Sequence, residues 1–172
     1  NYLKARRNGK WAWPPMLFDN PVPKIEKFAK AMKELNIVPE CECFDAGIVR
    51  SVELFRQVGL APSPLHVSFV MGVASGMPAR ADLLPILLDE APQGAHCQTI
   101  VIGRQEVWDV HRRMVELGGE VRTGLEDTFY LPDGTKTDGN GPLIEALVKI
   151  AEERGRKIAS PEIARQILGL PA

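Results

Sequence analysis

From residue 37 onward, four short apolar runs alternate with longer runs of helical period, and that alternation leaves few folds open. The strand-like runs cover residues 37–45, 65–72, 98–103 and 119–131. Helical spacing fills the intervals. Val49, Val52 and Phe55 line one side of a helix over 47–59, and the next covers 79–90. Val107, Val110, His111 and Met114 mark a third, with His111 on its flank and read as a surface residue. Gly118-Gly119 ends it. Asp138-Gly-Asn140-Gly-Pro142 caps a fourth, striped by Leu143, Leu147 and Ala151. Ser160-Pro161-Glu162 opens a short last helix. An earlier helix over 24–36 carries Ile25, Phe28, Met32 and Leu35 and breaks at Asn36.

Repeated strand-then-helix order requires a parallel sheet, because parallel neighbours need a crossover between them. The run 65–72 is apolar almost throughout, as expected when both sheet faces are covered, and His66 within it reads as a satisfied core histidine. No glycine fingerprint of a dinucleotide-binding fold is present. Charges gather where the strands end. Four β/α units are half of a closed barrel of about 250 residues. The expected fold is therefore α/β: the C-terminal half of a (β/α)8 TIM barrel, with four parallel β/α units and an appended C-terminal helix. Residues 1–172 are read as a single domain, a partial barrel lacking its N-terminal half.

Composition narrows the function classes. With 45% hydrophobic residues the 172-residue chain can bury one sizeable core. Basic and acidic residues number 21 and 22, a net charge of -1, which leaves no electrostatic footprint for nucleic acid or an anionic membrane. Lys4, Arg6, Arg7 and Lys10 form a local basic patch, read as a solvated loop. Residues 1–15 are expected to be irregular, since Pro14 and Pro15 forbid a helix there, with Trp11 and Trp13 plugging a core end. Met16-Leu-Phe18 reads as the end of a strand. No apolar run reaches the length of a membrane span. The three cysteines are too few and too closely spaced for a zinc pair or a disulfide framework. Cys41 and Cys43 share one strand face, and all three read as buried thiols of a reducing cytoplasm. A start at Asn1 rather than Met points to a fragment, a processed product or a partial chain.

The chemistry concentrates in residues 119–128. Val121, Thr123 and Leu125 alternate with Arg122, Gly124 and Glu126, so a cation and a carboxylate share one strand face. Glu126 and Asp127 are adjacent where the pattern breaks into polar turn residues. Charged residues at a strand end are how a β/α enzyme delivers chemistry to that face; the competing reading is a surface salt bridge. In the run 37–45, Glu40, Glu42 and Phe44 share one face and Cys41, Cys43 and Asp45 the other. Two carboxylates on one strand face belong at solvent or in a polar barrel mouth, because burial without partners is costly. Gly72-Val-Ala-Ser75-Gly76-Met77-Pro78 places small residues ahead of a helix, where backbone N–H groups can meet an anion. It lacks the lysine and the glycine spacing of a P-loop.

Several of these stretches occur in one order: Pro39-Glu-Cys-Glu-Cys-Phe-Asp45, Val70-Met-Gly-Val-Ala-Ser-Gly-Met77, Ile102-Gly-Arg104, Val121-Arg-Thr-Gly-Leu-Glu-Asp-Thr128 and Ala159-Ser-Pro-Glu-Ile-Ala-Arg-Gln-Ile-Leu-Gly-Leu170. Together they resemble the β-keto acid cleavage enzymes, whose founding activity is 3-keto-5-aminohexanoate cleavage. The resemblance implies a zinc-dependent barrel that exchanges acyl groups between a β-keto acid and acetyl-CoA, releasing acetoacetate and a new acyl-CoA. It implies Glu126 as a zinc ligand, Asp127 as the catalytic acid/base, and Arg122 as its partner. One glutamate of Glu40-Cys-Glu42, with Glu40 preferred, would lie near the bound keto acid, and Gly76 is a further substrate-binding position. A cytoplasmic homo-oligomer is also implied.

The departures shape the expectation. The family's early strand with two histidine ligands is absent, and His66, His96 and His111 lack its pattern. Cys97 stands where relatives often carry tryptophan. The isolated chain is therefore predicted to bind zinc weakly or not at all and not to turn over, and two open sheet edges would invite pairing with another chain. Two other readings stand beside this one. The chain would be a non-catalytic half-barrel remnant acting as a folding or oligomerisation module, or part of another metal-dependent aldolase or lyase on the same barrel.

Overall fold

The computed structural model describes residues 6–7, 10–11, 19–61 and 65–170. Contacts divide the chain into two compact units, 1–37 and 38–172. In the first, β1 (Arg6–Arg7) and β2 (Lys10–Trp11) pair antiparallel, where an irregular stretch was expected. The readings placed on Trp13 and on Met16 to Phe18 lie outside the described residues. Helix α1 (Val22–Glu34) opens with a proline in its first turn and ends as Asn36 takes a positive φ of 56°. It contains no buried residue.

The second unit holds the sheet. Strands β3 (Glu40–Cys43), β4 (His66–Met71), β5 (His96–Val101) and β6 (Glu120–Arg122) lie side by side in that order, all parallel. Helices α2 (Ala46–Gln57), α3 (Leu84–Glu90), α4 (Glu106–Glu116), α5 (Asn140–Glu152) and α6 (Pro161–Ile167) follow the strands in the expected alternation. Asp45 belongs to a helix cap rather than to β3: its carboxylate accepts from the Ile48 amide at 2.8 Å. Helix α3 starts later than its apolar spacing suggests. Met77 bridges back to Met71, and a single 3-10 turn over Ala81–Leu83 precedes the helix.

Period-2 alternation sorts the two sheet faces. Cys41 and Cys43, Val67, Phe69 and Met71, Cys97 and Val101, and Val121 join the hydrophobic core with residues from the helices. Cys43 is fully buried, and its thiol is pushed up to about 12 by burial first and by the neighbouring Cys41, Cys97 and Asp45 second. Such a thiol stays protonated and inert. The other face carries Glu40 and Glu42, His66, Ser68 and Val70, Gln98 and Ile100, and Arg122, as their register with these neighbours requires.

His111 is not a surface residue. It is fully buried in α4, its Nδ1 3.2 Å from Thr99 Oγ1, with Trp108 edge-on to its ring. His66 is also not a core residue. It is half-buried on the polar face, stacked on His96 at 5.1 Å, with Nε2 3.3 Å from the Leu168 carbonyl oxygen.

The strand-end loops interlock through their backbones. Met77 donates to the Phe44 carbonyl at 2.8 Å, Gly72 to Met77 at 2.7 Å, and Ile102 to Met71 at 2.8 Å. Gly72 has φ 85°, and a Cβ there would lie 1.9 Å from the Ile102 carbonyl oxygen. Replacing Gly72 with alanine is expected to lower stability by at least about 3 kcal/mol, since it meets both backbone strain and a rigid neighbour. A urea melt of the variant measures this.

Candidate active site

Parallel strands bring all four C-terminal ends to one edge of the unit, and Arg122 closes the last of them. The strand stops there, short of the alternation read through to residue 131. The next residues fold into a turn in which the Asp127 and Thr128 amides both donate to the Gly124 carbonyl, each at 3.0 Å. Arg122, Gly124 and Glu126 are therefore not one strand face. The turn instead folds Glu126 and Asp127 back over Arg122. Arg122 Nη2 donates to Asp127 Oδ1 at 3.0 Å and to Glu126 Oε2 at 3.3 Å.

The two carboxylates differ in environment. The Asp127 side chain is 3% exposed and that of Glu126 is 84% exposed, while Arg122 between them is 38% exposed. Partial burial pulls the guanidinium down. The bond to Asp127 and the charges of Asp127, Glu126 and Glu42 outweigh it and hold Arg122 above its ordinary value. Three further bonds fix the turn: Gly103 donates to the Asp127 carbonyl at 3.2 Å, Asn140 Oδ1 accepts from the Leu125 amide at 2.8 Å, and Trp108 Nε1 donates to the Tyr130 carbonyl at 2.9 Å. Asn140 was read from sequence only as part of a helix cap.

The glutamates of β3 separate by height. Glu40 pairs in register with His66, at the strand starts, and its Oε1 accepts from Ser68 Oγ and from Gln98 Nε2 at 2.7 Å. Glu42 lies two residues nearer the strand ends, and its charge is felt at Arg122. The structure thus brings Glu42, Arg122, Glu126 and Asp127 toward one edge and leaves Glu40 in a separate network.

Gly76 also reaches the strand-end edge, where a Cβ would meet the Phe44 carbonyl oxygen at 3.0 Å. Its amide donates to Val73 at 3.1 Å, and those of Gly72 and Met77 are likewise engaged. The helix behind this loop begins only at Leu84, so the anion cradle read from the small residues does not form in that way.

Among the described residues no group of three or more His, Cys, Asp or Glu side chains is arranged to hold a metal ion. His66 and His96 stack at the strand starts, where His96 Nδ1 lies 3.3 Å from Glu120 Oε1. Glu126 is on the turn after the last strand. The donor set described does not fit a zinc site by itself.

A sequence model of the beta-keto acid cleavage enzymes matches residues 4–170. The chain belongs to that family. It is 35% identical over 154 residues to a 3-keto-5-aminohexanoate cleavage enzyme of Fusobacterium nucleatum, covering 90% of this chain and 56% of the relative. It is 34% identical to a 3-oxoadipate:acetyl-CoA acetyltransferase of Cupriavidus necator, covering 99% of this chain and 61% of the relative. The chain thus spans little more than half the length of these relatives. Among solved structures it resembles ObcA, in a ternary complex with a C4-CoA adduct and oxalate, with a TM-score of 0.67 at 18% identity. That alignment covers 88% of this chain and 42% of ObcA, and at this identity it speaks for the α/β fold alone. The family and both named relatives are enzymes. No described helix is long and apolar enough to cross a membrane.

Proposed function

We propose that this chain carries the late-strand part of a β-keto acid cleavage site. In the reaction, a β-keto acid and acetyl-CoA exchange acyl groups to give acetoacetate and a new acyl-CoA. The observation that carries this is the nearly buried Asp127 bonded to Arg122 at the C-terminal end of β6, in a chain belonging to a family of β-keto acid cleavage enzymes. Asp127 is the proton carrier. Arg122 aims its carboxylate and keeps a positive charge beside it. Glu42 faces the keto acid. The four-stranded sheet is half of a (β/α)8 barrel, and the working enzyme is a cytoplasmic homo-oligomer.

Zinc would act in this reading as an electrophile, and Glu126 would offer it one oxygen. The donors described do not suffice to hold it, so the roles assigned to Asp127, Arg122 and Glu42 stand on their own geometry.

The test is the formation of acetoacetate and a new CoA thioester by the natural polypeptide, given acetyl-CoA, zinc and a panel of β-keto acids. Absence of both products across the panel would overturn the reading. The isolated 172 residues are expected to bind zinc weakly and to show no exchange. Glu42→Gln is expected to reduce exchange about 10²-fold with little change in stability. Glu40→Gln is expected to lose about 1 kcal/mol of stability through the Ser68 and Gln98 bonds and to change exchange far less. Parallel kinetics and urea melts of the two variants separate the glutamates.

A further inference from the structure

We propose that Asn140 is a positioning residue, whose side chain sets the turn presenting Glu126 and Asp127. The inference rests on the site reading above and extends it to a residue thirteen positions after Asp127.

Asn140 is the first residue of α5, where an asparagine would ordinarily serve its own helix. It does not do so here. Gly139 is the N-cap, and the start of α5 has no side-chain cap bond. The Asn140 Oδ1 instead reaches across to the Leu125 amide at 2.8 Å. Leu125 lies inside the Gly124–Asp127 turn, immediately before the two carboxylates. Its amide is bound from outside the turn, whereas the Asp127 and Thr128 amides are bound within it by the Gly124 carbonyl. The local bonds close the turn, and the Asn140 bond fixes that turn to the helix behind it.

Gly124 makes the approach available. A Cβ at Gly124 would lie 3.3 Å from Asn140 Oδ1 and 3.9 Å from its Cγ, so a methyl there would make the carboxamide give by a few tenths of an ångström. The missing side chain at Gly124 and the outward-turned side chain at Asn140 thus serve the same contact from both partners. On the far side, Gly103 holds the Asp127 carbonyl at 3.2 Å. The carboxylate-bearing peptide units are therefore held between the β5–α4 turn and the start of α5, and Arg122 reads their position from below through Asp127 Oδ1.

The Asn140 bond is solvent-exposed, so its loss shifts the turn rather than unfolding the unit. In the full 172-residue chain, Asn140→Ala is expected to speed hydrogen exchange of the Leu125 amide about 3- to 10-fold. The Asp127 carboxyl carbon and the Arg122 guanidinium NMR signals should move with it, while the buried His111 ring signals stay in place. Asn140→Asp retains an acceptor oxygen at the same position and is expected to restore both. If the Leu125 amide is deprotected but the Asp127 and Arg122 signals are unmoved, Asn140 only anchors α5 and the proposal fails. Unchanged Leu125 protection in Asn140→Ala would also overturn it. None of these readouts needs turnover. Failure of the wild-type polypeptide to make acetoacetate would therefore count against the reaction assigned to the site and not against the clasp.

Discussion

Replacing Arg122 with methionine is expected to lower stability by about 1.5–3 kcal/mol and to reduce acyl exchange by roughly 10²–10³-fold. Both effects come from one atom. Arg122 Nη2 is the donor to the nearly buried Asp127 and also to the exposed Glu126. Methionine fills similar volume but offers no donor, so the Asp127 side chain would be left buried without its cation. The stability effect falls toward the lower end of the range, because the guanidinium is itself partly exposed and water can take some of the lost role. The Glu126 bond adds little, since that carboxylate is solvated. Lysine at 122 should recover much of the stability and little of the exchange. A lysine ammonium supplies charge near Asp127, but on its shorter, flexible stem it does not hold both carboxylates where the planar guanidinium places them. Urea melts and acetoacetate formation measured on the same preparations of the natural polypeptide would show this split. Equal stability of the methionine variant and the wild type would mean that the Arg122–Asp127 contact is energetically idle, and Asp127 would then need another explanation for its burial.

What the amino-acid pattern revealed, and what it hid, follows from the range of the interactions involved. Strand-then-helix alternation is local, so all four strands and their parallel order could be read from spacing. The face assignment of β3 was equally local, and Cys41 and Cys43 do point to the core with Glu40 and Glu42 opposite. The height of those two glutamates is not local. It depends on which β4 residue each pairs with, and only the register separates Glu40, opposite His66, from Glu42, opposite Ser68. The length of β6 misled for a different reason. Residues 123–126 keep period-2 polarity, yet the chain there is a turn closed on the Gly124 carbonyl. Asn140 was hidden because a side chain at a helix start looks like a cap, and its true partner is fifteen residues away. His111 was misplaced although a signal existed: it stands four residues after Val107 and three before Met114, both fully buried.

That buried histidine carries the second large expected effect, a loss of stability in mild acid. His111 is fully buried, Nδ1 faces Thr99 Oγ1 at 3.2 Å, and Nε2 has no partner among the described residues. Burial pushes the imidazole down from 6.5 to about 4, because a charge at that position would be desolvated and Nε2 has nothing to receive its proton's bond. In the unfolded chain the same ring protonates near 6.5. The unfolded state therefore binds more protons between those values, and stability present above pH 6.5 is lost as pH falls toward 4. The loss from this one group is about 2 kcal/mol by pH 5 and about 3 kcal/mol by pH 4. Carboxylates contribute their own acid loss, so the diagnostic quantity is the difference between wild type and His111→Leu. Leucine leaves Thr99 without its side-chain partner and is expected to cost about 1 kcal/mol at neutral pH. It has no proton to gain, so its stability should fall less steeply in acid, and the two curves should cross between pH 6 and pH 5. Parallel urea melts from pH 7 to pH 4 measure both slopes. Parallel slopes would mean that the His111 ring is protonated or solvated in the folded chain, contrary to its burial between α4 and β5.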